Sequence, residues 1–259
     1  MKQVIVPLNA YKAERMTELE QEELISAIAK AGADGVEIRR ELLPLETLSF
    51  SKLGRHIRFQ NLFSIYSAPI ELWKEDGQFN HHLVTLALHE AKELGANMIK
   101  FPLGHFQSGI SCLQELSEAW EEEYAACVLL VENDQTEHGG NMKRLKAFFE
   151  NAAASHVPVK MTFDVGNWAY TGEDVYEALE QLRPYTVYVH LKHVEKKDRS
   201  FITLPLPFDM DAAWRTVLAQ FPNNVLTALE FPLASGEMTK FYVNTIKEQE
   251  SKVKQYDKA

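Results

Sequence analysis

The sequence has few of the features that mark several large classes of protein. Only two cysteines, Cys112 and Cys127, occur in 259 residues, so neither a disulfide framework nor a cysteine metal site can form. No stretch reaches the roughly 18 apolar residues that a membrane-spanning helix needs. The N-terminus also lacks the apolar segment of a signal peptide. We therefore expect a cytoplasmic protein without a membrane partner.

Basic residues are fewer than acidic residues. The chain has 27 Lys and Arg against 37 Asp and Glu, a formal net charge of −10. This balance disfavours a nucleic-acid binder, because binding to a phosphate backbone is driven by clustered Lys and Arg. Hydrophobic residues make up 46% and charged residues 25% of the chain, which is typical of a globular protein.

Short apolar strands alternate with amphipathic helical stretches along the whole chain. The predicted strands are residues 4–8, 35–39, 57–66, 98–102, 126–132, 157–164, 186–192 and 225–231. The predicted helices are residues 17–31, 45–53, 79–94, 112–124, 141–154, 173–182, 211–221 and 236–256. A longer loop is expected between residues 192 and 211. Eight βα units without a linker predict an α/β protein with one domain over residues 1–259, a (β/α)8 TIM barrel. A doubly wound sheet is the alternative, but its Gly-rich turn after the first strand is absent.

Four consecutive predicted strands end in a side chain that can bind a metal: Glu132, Asp164, His190 and Glu230. In a (β/α)8 barrel, the carboxyl ends of the strands surround one site. Three carboxylates and one imidazole favour one divalent ion, Mn²⁺ or Mg²⁺, with Co²⁺ or Zn²⁺ as alternatives. The competing interpretation is four unrelated polar strand ends. We favour the metal site because clustered carboxylates would otherwise repel one another.

These residues belong to short motifs spread over most of the chain. The motifs are Gly35-Val36-Glu37, Val131-Glu132-Asn133, Phe163-Asp164-Val165-Gly166-Asn167-Trp168, His190-Leu191-Lys192 and Leu229-Glu230. Together they resemble the xylose isomerase-like barrels, specifically the sugar phosphate isomerase/epimerase branch that includes the ketose 3-epimerases. The resemblance implies that the four residues bind one divalent metal. It also implies that Glu132 and Glu230 flank a substrate carbon and exchange its proton.

The activity implied by the resemblance is that of a metal-dependent isomerase or epimerase acting on a small sugar or sugar phosphate. Such a reaction needs a Lewis acid at the carbonyl and carboxylates that move a proton on the neighbouring carbon. The chain departs from the ketose 3-epimerases at Asn167, His138 and Lys196, where they carry His, Glu and Arg. These departures leave the sugar open. Related barrels often form dimers or tetramers, and the sequence leaves the homo-oligomeric state open too.

Other polar residues near the strand ends are candidate substrate contacts. Lys192 shares a strand face with His190, so it contacts either a substrate oxygen or a ligand carboxylate. Glu37 and Arg39 form either substrate contacts or a salt bridge. Lys100 is a charge at the end of an apolar strand, which is uncommon without a partner. The remaining candidates are Asn133, Asn167, Trp168 and the loop histidine His138, with His105 of similar standing. The alternative for Trp168 is packing, and the alternative for the two histidines is a plain surface position.

Two other functions fit the same predicted fold. Endonuclease IV-type phosphoester hydrolases share this barrel, but they need several metals and additional histidines at strand ends, and the net charge of −10 disfavours DNA. A barrel that binds a sugar without catalysis is the second alternative, motivated by the absence of the epimerase-type substrate residues.

Overall fold

Eight parallel strands form the centre of the molecule. The computed structural model describes residues 2–124 and 126–256, with the backbone alone for residues 121–123 and 249–256. The barrel strands are β1 (Val4–Pro7), β2 (Gly35–Arg39), β3 (Phe63–Ser67), β4 (Met98–Pro102), β5 (Val128–Glu132), β6 (Val159–Asp164), β7 (Thr186–Leu191) and β10 (Leu226–Leu229). They close in the order β1-β10-β7-β6-β5-β4-β3-β2. The predicted (β/α)8 barrel is confirmed.

Helices follow the strands and pack around the outside of the barrel. They are α1 (Glu18–Lys30), α2 (Phe50–Phe59), α3 (His81–Leu94), α4 (Leu113–Tyr124), α5 (Met142–Ala154), α6 (Trp168–Thr171), α7 (Val175–Leu182), α8 (Ala213–Ala219) and α9 (Gly236–Tyr256). Within the described ranges, none of these helices is long and apolar enough to cross a membrane.

Local signals fix where several helices begin and end. Thr17 and Glu20 form a capping box at the start of α1, in which each side chain accepts a hydrogen bond from the other residue's backbone N–H. Such a cap contributes about 1 kcal/mol. At the end of α3, Gly95 adopts a left-handed φ of 73°, a conformation that glycine allows without steric penalty.

Inward-facing side chains fill the barrel in layers, as in other (β/α)8 folds. One buried layer comes from β1, β3, β5 and β7 and consists of Ile5, Ile65, Leu130 and Tyr188. Side chains on one face of a strand recur every two residues. The next inward positions after Leu130 and Tyr188 are therefore Glu132 and His190. The apolar filling stops below these residues, and a polar site lies above it.

The predicted third strand and the helix before it were wrong in their bounds. The structure places Ile57 in α2 and begins β3 at Phe63. The buried residues of this segment are Phe50, Leu53, Gly54 and Ile57, a helical spacing rather than the alternation of a strand. The β-favouring residues Ile57 and Phe59 had concealed this helical pattern. The other predicted elements agree with the structure to within two residues at each end.

The long loop expected after β7 contains additional structure. A two-stranded antiparallel hairpin, β8 (His193–Lys197) and β9 (Ser200–Leu204), follows β7 directly. Asp198 in its two-residue turn has a φ of 56°, and Asp tolerates this left-handed conformation better than most residues. The hairpin lies next to the segment after β6, where the Tyr170 and Phe201 ring centroids are 4.9 Å apart.

Candidate metal centre and cavity

The carboxyl ends of the barrel strands surround a cavity of about 410 Å³. Its lining includes Arg39, Lys100, Glu132, Asn167, Lys192 and Glu230. These residues come from β2, β4, β5, the turn after β6 and the ends of β7 and β10. The cavity therefore occupies the position where (β/α)8 barrels carry their active sites.

The four residues predicted to bind a metal lie together at this end of the barrel, where Glu132 and Glu230 line the cavity and Asp164 and His190 are fully buried. We call Glu132, Asp164, His190 and Glu230 the central cluster; one ligand atom from each lies within 4.8 Å of the others. His190 Nδ1 is 3.0 Å from Glu230 Oε2, 3.1 Å from Glu132 Oε1 and 3.8 Å from Asp164 Oδ2. The structure thus brings together side chains that are distant in sequence.

The spacing and chemistry of the central cluster fit a divalent ion. An octahedral ion with bonds of about 2.1 Å holds neighbouring ligand atoms roughly 3.0 Å apart. Two of the distances from His190 Nδ1 match this value, and the 3.8 Å distance to Asp164 needs a small adjustment. Three carboxylate oxygens with one imidazole nitrogen suit Mn²⁺ or Mg²⁺ better than a thiophilic ion. The cluster could therefore hold a metal, whose identity the geometry leaves open.

Glu37 lies on the other edge of the His190 ring. Its Oε2 is 3.0 Å from His190 Nε2 and accepts a hydrogen bond of 2.8 Å from the Tyr188 hydroxyl. Glu37 is fully buried. A carboxylate that accepts the proton of Nε2 leaves Nδ1 free to bind a metal and fixes the orientation of the ring. The structure places Glu37 as a partner of His190 and of two basic residues rather than at the open face of the cavity.

Three basic side chains neutralise the carboxylates. Lys192 Nζ is 2.9 Å from both Asp164 Oδ2 and Glu230 Oε2. Lys100 Nζ is 2.9 Å from Glu37 Oε1 and 2.9 Å from Glu132 Oε2. Both lysines are buried. Lys192 thus pairs with two of the candidate ligand carboxylates, and its contact with a substrate stays a prediction.

Arg39 completes this ionic network. Its Nη1 is 3.2 Å from Glu37 Oε1 and 3.0 Å from Glu230 Oε1, and its Nε is 2.9 Å from Glu41 Oε1. The predicted salt bridge between Glu37 and Arg39 is therefore present. Asn9, after β1, donates a further hydrogen bond of 3.2 Å to Glu230 Oε1. Glu230 is held from two directions as a result.

The protonation of His190 depends on its carboxylate neighbours. Burial and the charge of Lys100 lower the pKa of His190, but the carboxylates of Glu37, Glu230 and Glu132 outweigh them and raise the pKa to about 9. Without an ion, the ring is therefore a cation at neutral pH. A metal at Nδ1 would replace that proton, since metal ligation requires a deprotonated nitrogen.

The two carboxylates that contact Lys192 differ in their acidity. Burial raises the pKa of Asp164 to about 7, more than the charge of Lys192 lowers it. Burial also disfavours the charge of Glu230, but the charges of Lys192 and His190 outweigh it and hold the pKa of Glu230 well below its usual value. Two neighbouring carboxylates with separated pKa values are a common feature of acid–base sites.

A network of hydrogen bonds fixes the turn that carries Asp164. Its Oδ1 accepts hydrogen bonds from the backbone N–H groups of Gly166 (2.8 Å) and Asn167 (2.9 Å). The side chain of Asn133 donates to the Asp164 carbonyl and accepts from its N–H, while the side chain of Asn167 donates to the Asn133 carbonyl. Asn133 therefore joins the end of β5 to that of β6. Asn167 lines the cavity and accepts a hydrogen bond from Lys192.

The last two sequence candidates lie away from the central cluster. Trp168 is buried and packs against Phe163, with 5.4 Å between the ring centroids, as the packing alternative predicts. His138 pairs with Glu71 and stacks on His105. Sequence reasoning did not single out Tyr188, Asn9 or Glu71. The position of Tyr188, two residues before His190 on the same strand face, was the available signal for its role.

Comparisons with known proteins agree with this architecture. Residues 25–223 match the family model described as the xylose isomerase-like TIM barrel. The chain belongs to the xylose isomerase-like TIM barrel family. The resemblance seen in the sequence motifs is thus confirmed at the level of the family. No curated protein matches the sequence.

Solved structures share the fold of this xylose isomerase-like barrel. An L-ribulose 3-epimerase aligns with a TM-score of 0.73 and 13% identity, covering 100% of this chain and 99% of the other. The IolI protein, solved with a zinc atom, aligns with a TM-score of 0.67 and 15% identity, covering 95% of this chain and 97% of the other. A probable 3-DHS dehydratase, AsbF from Bacillus anthracis, aligns with a TM-score of 0.62 and 14% identity, covering 96% of this chain and 98% of the other. At these identities the matches show a common fold.

Proposed function

We propose that this chain is a divalent-metal-dependent isomerase or epimerase of a small sugar or sugar phosphate. The observation that carries the proposal is the placement of Glu132 and Glu230. Both carboxylates approach His190 Nδ1 to about 3 Å, and both line the same cavity. The epimerases among the structural neighbours support the proposal at the level of the reaction class.

Glu132 and Glu230 enter the cavity from different sides. In the closed barrel, β6 and β7 separate β5 from β10, so the two carboxylates reach the central cluster from strands that are not neighbours. One can remove a proton from a substrate carbon while the other returns a proton to the opposite face. Such a pair permits inversion at that carbon, and each group contributes about 10²–10⁴-fold to the rate.

The other residues of the site can stabilise negative charge and orient Glu230. A divalent ion in the central cluster would supply Lewis acidity toward a carbonyl and its neighbouring hydroxyl. Lys100 and Lys192 place ammonium groups at the floor of the cavity, where they can stabilise negative charge on a substrate oxygen after proton removal. Arg39 and Asn9 hold Glu230 Oε1, which leaves the Oε2 atom directed at the cluster.

Deuterium exchange tests the proposal directly. The Mn²⁺-loaded protein is incubated in heavy water with a panel of ketoses, aldoses and their phosphates, and NMR follows the loss of carbon-bound protons. We expect exchange at one carbon of one substrate class, and none after treatment with EDTA. Glu132→Gln and Glu230→Gln should each slow the exchange by at least about 100-fold, because each removes one proton-transfer group.

Glu137→Gln is the matched control, since Glu137 is exposed on the loop after β5 and should leave exchange unchanged. Full exchange activity in both cluster variants would refute the assignment of the two carboxylates. Absence of exchange across the panel, with Mn²⁺ demonstrably bound, would refute the proposed reaction class.

A further inference from the structure

A second group of metal-binding side chains lies at the rim of the cavity. We call Glu71, His105 and His138 the outer cluster; they come from the loops after β3, β4 and β5. One ligand atom from each lies within 4.8 Å of the others. His138 Nε2 is 2.7 Å from Glu71 Oε1, and His105 Nε2 is 3.9 Å from Glu71 Oε2. The two imidazole rings stack with 3.7 Å between their centroids.

The backbone holds these loops together independently of the three side chains. The backbone N–H of His105 donates to the Trp73 carbonyl at 2.9 Å. Gly104 has a φ of 72°, and a Cβ there would lie 2.3 Å from the Trp73 carbonyl oxygen and 2.7 Å from Glu71 Cβ. Glycine at this position therefore allows the β4 loop to approach Glu71 closely. The folded backbone therefore brings the loops that carry Glu71 and His105 together.

A similar constraint holds His138. A Cβ at the next residue, Gly139, would lie 2.3 Å from Asp134 Oδ2, and the Thr136 hydroxyl accepts a hydrogen bond from the Gly139 N–H. The loop after β5 is thus folded tightly on both sides of Thr136. This places the His138 ring against Glu71 and His105.

We propose that the outer cluster is a second metal site, which binds a zinc-type divalent ion. Tetrahedral zinc with bonds of about 2.0–2.1 Å holds its ligand atoms roughly 3.3 Å apart. The distances from Glu71, 2.7 and 3.9 Å, lie on either side of this value. The two stacked rings would have to turn so that both Nε2 atoms point at one ion. Two imidazoles and one carboxylate form a common ligand set for zinc with an open position.

Exposure and ligand chemistry distinguish the two clusters. The side chains of Glu71, His105 and His138 retain 35%, 27% and 24% of their accessible surface, so an ion can enter from solvent and keep a water ligand. Glu71 also lines the cavity above the central cluster. The nitrogen-rich outer cluster favours zinc, whereas the oxygen-rich central cluster favours Mn²⁺ or Mg²⁺. The second site does not depend on the proposed isomerase activity.

Metal counting on tag-free, EDTA-treated protein tests the site. Zn²⁺ is titrated in competition with a chromophoric chelator, and the bound zinc is measured by elemental analysis after desalting. We expect two zinc ions per wild-type chain with micromolar affinity or tighter. His105→Ala and His138→Ala should each leave one ion, and Glu71→Gln should weaken the second ion by at least about tenfold. His190→Gln should weaken the central ion and leave the outer one in place.

His82→Ala is the matched control, because His82 is exposed on α3 and should leave the count at two. Circular dichroism checks that every variant is folded. Substituted Co²⁺ gives a second readout, since four-coordinate Co²⁺ absorbs visible light more strongly than six-coordinate Co²⁺. Loss of the strong absorption in His138→Ala supports the proposal. One zinc ion per wild-type chain, two ions in both histidine variants, or outer-site binding only at millimolar zinc would overturn it and leave a simple Glu71–His138 hydrogen bond.

Discussion

Replacing Glu37 with Gln should weaken metal binding although Glu37 is not a candidate ligand. The carboxylate faces two groups through Oε2, His190 Nε2 and the Tyr188 hydroxyl. It faces two more through Oε1, Lys100 Nζ and Arg39 Nη1. Gln keeps the size of the side chain but replaces one oxygen with an NH₂ group. Whichever way the amide is turned, one of these donors then meets another donor.

The expected magnitude follows from the role of the carboxylate. Loss of a group that orients a metal-binding histidine typically reduces metal affinity by about 10–100-fold, or roughly 1.4–2.8 kcal/mol. The fold is also weakened, since breaking a buried ion pair costs about 3–5 kcal/mol. We therefore expect a folded but less stable Glu37→Gln protein that binds Mn²⁺ about 10–100-fold less tightly.

Mn²⁺ affinity can be measured from the electron paramagnetic resonance signal of the free ion during titration, at a temperature where circular dichroism shows the variant folded. Glu41→Gln is the matched control, because Glu41 also pairs with Arg39 but is partly exposed. A folded Glu37→Gln protein with wild-type affinity would refute the orienting role. An equal loss in Glu41→Gln would show that general charge, rather than the contact with His190, sets the affinity.

Three other predictions concern the same molecule. In the metal-free protein, the free energy of unfolding should fall by up to about 3 kcal/mol as the pH rises from 6.5 to 9, because the pKa of His190 is raised from 6.5 to about 9 on folding. The stabilisation from the ion pairs of His190 is complete below pH 6.5 and is lost as the pH rises through about 9. Denaturant unfolding of His190→Gln should therefore lack this decline. Lys192→Met should increase Mn²⁺ affinity at least about tenfold, since it removes an ammonium group that competes for two candidate ligands; unchanged affinity in the same titration would contradict this. Gly54→Ala should lower the unfolding free energy by about 3 kcal/mol, because a Cβ there would lie 1.9 Å from the Leu94 carbonyl oxygen. Gly236→Ala, at an open position, should change it by less than about 0.5 kcal/mol, and equal melting of the two variants would refute the steric argument.

The central cluster could be predicted because the barrel converts sequence position into spatial position. Each of its residues stands at or just after the end of an apolar strand, and parallel strands bring their carboxyl ends to one side. The alternation of side chains along a strand also explains why Lys192 faces inward with His190. No feature of the loops is needed for these two inferences.

The outer cluster and the partners of Glu37 could not be predicted in the same way. Glu71, His105 and His138 lie in loops, where the backbone path depends on turns such as the left-handed Gly104. Sequence spacing does not specify how far such loops extend or which of them meet. The salt bridges of Lys100 depend on tertiary contacts across the barrel, so the sequence indicated only that this buried charge needs a partner.

Closure of the barrel has a consequence for the order of folding. The last barrel strand along the chain, β10, pairs with the first, β1, through Val4 with Thr227 and Ile5 with Ala228. Glu230 receives hydrogen bonds from Arg39 and Asn9, which are 191 and 221 positions away along the chain. Contacts of such long range form slowly. During refolding, tight Mn²⁺ binding should therefore appear after most of the helix signal, and it would report the pairing of the first and last barrel strands.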